Sequence, residues 1–119
     1  MARDAPLIDA YGDGGFRLSG AWRPGSLLIL ADQAQSWPVA TFADLTLEVL
    51  APVFAAGRAE VEFLLLGVGA RNAQPPRAIR EALLAAGMGL EFMDTPAAAK
   101  LYNVLTSEGR RLAVGLIAV

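Results

Sequence analysis

The chain has 119 residues, of which 55% are apolar and 18% charged, and its formal net charge is −2. That length suits one domain, residues 1–119, and the apolar content with so low a net charge excludes a disordered chain. There is no Cys and no His, which excludes disulfides, thiol nucleophiles, zinc sites built from sulfur or imidazole, and every catalytic triad that uses His.

Nucleic acid is not an expected partner. The sequence pI is near 5.0, the nine Arg and the single Lys100 are scattered, and the only adjacent basic pair is Arg110-Arg111. Mean hydropathy is +0.43, yet no apolar or Gly run exceeds nine residues, and residues 63–70 and 112–119 run for eight each. A spanning helix needs about 20, so both read as buried strands and the chain is not expected to span a membrane. The start, Met1-Ala2-Arg3-Asp4-Ala5-Pro6, lacks an apolar signal core. Asp4 and Asp9 also disfavour an acid-poor transit peptide. The expectation is a mature, full-length, soluble cytoplasmic protein.

In chain order, residues 7–11 and 16–20 flank Gly12-Asp13-Gly14-Gly15, and Asp-Gly between short apolar runs signals a hairpin. Trp22-Arg23-Pro24-Gly25 reads as a turn. Residues 26–31 make a third strand, and Trp37-Pro38-Val39 a short extended piece. Residues 46–56 carry Leu47, Leu50 and Phe54 at helical spacing with Gly57 as the stop. Pro52 either kinks that helix or marks where regular helix begins. Residues 61–66 are nearly all apolar, as strands covered on both faces are.

Residues 76–86 predict a helix with Ile79, Ala82, Leu83 and Ala86 on its buried face and Gly87 just past its end. Residues 90–93 make another short strand. Thr95-Pro96 then predicts a helix with Thr95 as N-cap and Pro96 as first residue, running to about residue 108 and stopped by Gly109. Residues 112–119 form the last strand. Three strands, a helix and then β-α-β-α-β imply an α/β fold of three layers. Its sheet is mixed, with parallel pairing from residue 61 onward. The N-terminal antiparallel hairpin extends that sheet or forms a small second one.

The loop Gly67-Val68-Gly69-Ala70-Arg71-Asn72 follows a buried strand and leads to a helix, where phosphate-binding loops sit. The dinucleotide pattern would need Gly where Asn72 stands, and no Walker Lys-Ser or Lys-Thr is present. The glycines therefore serve either a tight, closely packed turn or a small anion site with Arg71. Asp94 and Thr95 follow the next parallel strand, so both loops belong at the carboxyl edge of the sheet, where ligands of open α/β sheets bind. Helix-start amides from Ala97 onward, Arg71 and Asn72 make that edge the candidate surface for an anionic ligand or acidic partner segment. If Thr95 is only a cap, Thr95→Ala is expected to cost about 1 kcal/mol.

Asn103 is unusual mid-helix, and either something uses it or it faces solvent. Glu108 and Arg110 predict an exposed ion pair at the opposite edge. No carboxylates share a helical face at useful spacing, no serine has a His partner, and Lys100 is expected to face water. No metal or other cofactor is expected.

The motifs Leu64-Leu65-Leu66-Gly67-Val68-Gly69, Gly87-Met88-Gly89-Leu90-Glu91-Phe92-Met93-Asp94-Thr95 and Tyr102-Asn103-Val104-Leu105 with Glu108-Gly109-Arg110 occur here in that order. In this the chain resembles a widespread family of small single-domain proteins of unknown function. That family includes a mitochondrial assembly factor for respiratory complex I (NADH:ubiquinone oxidoreductase). Val68 departs from the family, whose members often carry Thr there, and so removes a hydroxyl from the loop. The resemblance implies a three-layer α/β fold and no established activity or cofactor. It points to a non-enzymatic accessory or assembly protein with a protein partner, such as a respiratory-complex subunit or another assembly factor. A small-molecule binder or enzyme using the carboxyl-edge loops is the alternative, and a self-associating module a third reading.

Overall fold

The structure is a computed structural model, and it describes residues 5–119; the reading of the first four residues lies outside them. Five strands form the central sheet in the order β5-β4-β8-β6-β7. They are β4 (Leu27–Leu30), β5 (Gln33–Ser36), β6 (Phe63–Gly67), β7 (Gly89–Met93) and β8 (Leu112–Leu116). β6 runs parallel to both β7 and β8, while β4 is antiparallel to β5 and β8. The sheet is therefore mixed. β6 is buried at every position, which is why its sequence shows a continuous apolar run in place of alternation.

Side chains alternate across the sheet and build two cores. Leu64, Leu66, Leu28 and Ala113 face one side. There they meet Val53 of α1 (Ala51–Ala56), Ile79 and Leu83 of α2 (Arg77–Ala85), and the segment holding Trp37, Val39 and Leu45. Phe63, Leu65, Leu27, Ile29, Val114 and Leu116 face the other. That side is covered by Ala98, Ala99 and Tyr102 of α3 (Thr95–Ser107) and by Ile8, Phe16 and Leu18 of a second sheet. The second sheet has three antiparallel strands, β1 (Ile8–Gly12), β2 (Gly15–Leu18) and β3 (Ala21–Pro24). Three layers thus stand as expected, and the N-terminal hairpin forms a sheet of its own.

Several boundaries differ from the sequence reading, each for a physical reason. Residues 22–25 are not a turn. Trp22 pairs with Arg17 and Pro24 with Gly15, and Pro24 is tolerated because β3 is an edge strand that can spare its N–H. Of the two readings of residues 46–56, the second holds. A 3₁₀ turn over Glu48–Leu50 precedes α1, which starts at Ala51 with Pro52 in its first turn. The last strand ends at Leu116, after which the Ala118 N–H donates to Ser26 Oγ (2.9 Å).

Strand β5 has no counterpart in the sequence reading. It is polar throughout except for Ala34, and its two-residue turn is Ala31-Asp32. Both turn residues sit in the left-handed region, at φ 52 and 63, where Asn-Gly would be usual. Left-handed backbone costs a residue with a Cβ about 1–2 kcal/mol, part of which glycine returns through its freer unfolded chain. Ala31→Gly is therefore expected to raise stability by about 0.5–1 kcal/mol in urea unfolding. A loss of that size would show that the turn is not strained.

Candidate functional site

β6 and β7 end side by side, Gly67 opposite Met93, so the loops that follow emerge together at the carboxyl edge. Gly67 is there because nothing larger fits. A Cβ would lie 2.7 Å from Leu116 Cδ2 and 2.9 Å from Thr95 Cα. Gly69 is held at φ +111, which favours glycine. These are the closely packed turn of the two readings given above.

Thr95 is fully buried and is not the N-cap. Its Oγ1 accepts from the Gly69 N–H (3.0 Å) and donates to the Ile117 carbonyl (2.7 Å). Its own N–H donates to the Gly69 carbonyl (2.8 Å), and the Ile117 N–H donates to the Gly67 carbonyl (2.9 Å). Thr95 thus clasps three strand ends, those of β6, β7 and β8. Asp94 is the N-cap of α3. Its Oδ1 accepts from the Ala97 N–H (2.9 Å) and its carbonyl from the Ala98 N–H (3.0 Å). The helix-start amides expected to be free for an anion are therefore satisfied within the fold.

Arg71 and Asn72 are exposed and make no hydrogen bond or ion pair among the described residues. The edge brings together Gly67, Gly69, Arg71, Asn72, Asp94 and Thr95, with the last two engaged in holding the backbone. Asn103 is elsewhere. Midway along α3, its Oδ1 accepts from the Ile8 N–H (2.9 Å) and its Nδ2 donates to the Ile8 carbonyl (2.8 Å). Beside it the Tyr102 hydroxyl donates to the Pro6 carbonyl (2.7 Å). The Asn103 side chain thus acts as a peptide-like partner for β1 and pins the second sheet to α3. Asn103→Ala is expected to leave both Ile8 groups without that partner and cost about 1–3 kcal/mol. Faster hydrogen exchange at the Ile8 amide, relative to residues of β6, would check it; unchanged exchange there would count against it.

The opposite, amino edge holds a groove of about 550 Å³ between α3 and the edge strand β7. Phe63, Leu101 and Leu105 line its apolar floor, and Glu62, Glu91 and Arg110 its rim. Arg110 Nε lies 3.7 Å from Glu62 Oε2, and its guanidinium sits 5.3 Å from the Phe63 ring centroid. Arg110 thus pairs with Glu62, on the loop that leads into β6, where the sequence reading paired it with Glu108. The sequence reading missed this groove; its one signal was a lone Glu91 inside the apolar strand Leu90–Met93.

Among the described residues no three His, Cys, Asp or Glu side chains approach closely enough to hold a metal ion. No helix there is long and apolar enough to cross a membrane. Fold and edges together define a small mixed α/β domain with paired loops at one edge of its central sheet and a groove at the other. The chain belongs to the family described as protein of unknown function (DUF498/DUF598), whose model matches residues 8–117.

An uncharacterized protein of Rhodobacter capsulatus is 43% identical over 111 residues, covering 92% of this chain and 82% of that one. The zebrafish (Danio rerio) NADH dehydrogenase [ubiquinone] 1 alpha subcomplex assembly factor 3 is 32% identical over 93% of this chain, which spans 63% of the zebrafish protein. A crystal structure described as an outer membrane protein from Bartonella henselae superposes with a TM-score of 0.89 at 30% identity, covering 97% of this chain and 96% of that one.

Proposed function

We propose that this chain is a non-enzymatic, assembly-type interaction protein of the cytoplasm that helps a respiratory NADH:ubiquinone oxidoreductase complex to mature. The observation that carries the reading is the similarity to a complex I assembly factor along 93% of the chain. The geometry supports it in one respect. At the carboxyl edge Asp94 and Thr95 are committed to backbone hydrogen bonds, which leaves Arg71 and Asn72 as the polar groups open to a partner. These two, flanked by Gly67, Gly69, Asp94 and Thr95, form a proposed contact surface. Asn103 supports the fold behind it.

The test is affinity capture of the tagged chain from its own cells with quantitative mass spectrometry. Enrichment of complex subunits or their assembly factors, lowered by Arg71→Glu, is expected. A small molecule turned over by the purified chain would overturn the reading in favour of an enzyme.

A further inference from the structure

The central sheet ends at β7, and the direction of its backbone groups follows from two hydrogen bonds. The Gly89 N–H donates to the Glu62 carbonyl (3.1 Å), and the Met93 carbonyl accepts from the Val68 N–H (2.9 Å). Both aim toward β6. Alternation along a strand then turns the N–H and C=O of Gly89, Glu91 and Met93 inward and those of Leu90 and Phe92 outward. Two residues thus offer four backbone groups to the outside that have no partner among the described residues.

The same alternation divides the side chains. Leu90 and Phe92 pack against the core on the α2 side. Glu91 is opposite Leu65 and shares the groove with Phe63, Leu101 and Leu105 on the α3 side. Glu91 is exposed and has no ion pair among the described residues. A lone carboxylate in the middle of an edge strand guards it against unwanted pairing. It also sets what can pair.

A second copy of this chain is a poor occupant. The symmetric antiparallel pairing that uses all four outward groups places Leu90 opposite Phe92 of the other copy and Glu91 opposite Glu91. In that non-hydrogen-bonded position the facing Cα atoms are about 4.5 Å apart, and like charges directly opposite repel. A strand with Arg or Lys at that position instead forms an ion pair with Glu91. Its aliphatic stem lies on Phe63, Leu101 and Leu105, while its neighbours in sequence fall beside Leu90 and Phe92 and are best apolar.

We propose that the outer edge of β7, with the groove behind it, takes up an extended segment of a partner protein in which a basic residue is flanked by apolar ones. The segment adds to the sheet next to β7, its backbone giving affinity and Glu91 giving selectivity. The proposal rests on the reading that this chain works through protein contact, and it adds a second contact apart from the surface around Arg71 and Asn72.

The test titrates the isotope-labelled full chain with the blocked peptide Thr-Val-Thr-Val-Arg-Val-Thr-Val-Thr, followed by NMR. Saturable shifts centred on the amides of Leu90 and Phe92 are expected, with slowed exchange of both. The peptide with Glu at its centre is expected to bind about tenfold more weakly. Glu91→Lys, checked for an unchanged fold by circular dichroism, is expected to reverse that preference. Equal affinity for the two peptides, shifts centred away from residues 89–93, no saturable shift, or a dimer of this chain formed through β7 would each overturn the proposal. The titration does not require the partner's identity. Its failure beside successful capture of complex subunits overturns the docking edge and leaves the proposed function standing; its success without such capture does the reverse.

Discussion

Thr95→Val is expected to cost about 2–4 kcal/mol, far more than the loss of a helix cap. Valine matches threonine in shape, so the substitution removes the hydroxyl and little else. The Gly69 N–H then loses its acceptor (3.0 Å) and the Ile117 carbonyl loses its donor (2.7 Å), at a site where Thr95 is fully buried. Each buried polar group left unpaired costs about 1–3 kcal/mol. Against a total stability of about 5–15 kcal/mol for a domain of this kind, that is a large share. Thr95→Ser keeps the hydroxyl and is expected to retain most of the stability. Urea unfolding of the pair checks the account, and a Thr95→Val loss below 1 kcal/mol would contradict the clasp.

Gly67→Ala is expected to cost about as much by a different route. The added Cβ meets Thr95 Cα at 2.9 Å and Ala98 Cβ at 3.1 Å, and the first of these is backbone that cannot swing aside. Overpacking a filled interior costs about 1–3 kcal/mol. Gly69→Ala is the control, since its Cβ would meet nothing within 4 Å and only the positive φ opposes it. Calorimetry is expected to rank Gly67→Ala as the more destabilising. Because Gly67 and Thr95 touch, the double variant is expected to lose less than the sum of the two singles. The reverse ranking of the glycines would show that backbone conformation, and not close approach, selects them.

Much of the C-terminal half was legible in the sequence because its signals are local. The apolar run of β6, the spacing of Ile79 and Leu83 on α2, and the glycines that follow α2 and α3 each act within a few residues. The rest depends on distant partners. Asp94 and Thr95 are both able to cap α3, and the choice is made by Gly69 and Ile117, 26 and 22 residues away from Thr95. Asn103 looked odd in a helix because its partner, Ile8, lies 95 residues earlier. β5 was invisible because a polar edge strand needs no apolar face, and its turn uses Ala31 where glycine or asparagine would have marked it.

The candidate site was legible in part for the same reason. Parallel pairing of β6 with β7 puts the two loops at one edge, as strand–helix alternation implies. The satisfied amides of Ala97 and Ala98, and the groove beside Glu91, arise from packing that no local pattern reports.

The central claim, that this chain helps a respiratory NADH:ubiquinone oxidoreductase complex to assemble, is tested most directly by deleting its gene in the organism that encodes it. The assembled complex is then quantified on native gels, with its activity measured in isolated membranes. The expected result is a fall in assembled complex and in activity, accumulation of subcomplexes, and restoration by a plasmid copy of the wild-type chain. Wild-type levels of fully assembled, active complex in the deletion strain would contradict the claim.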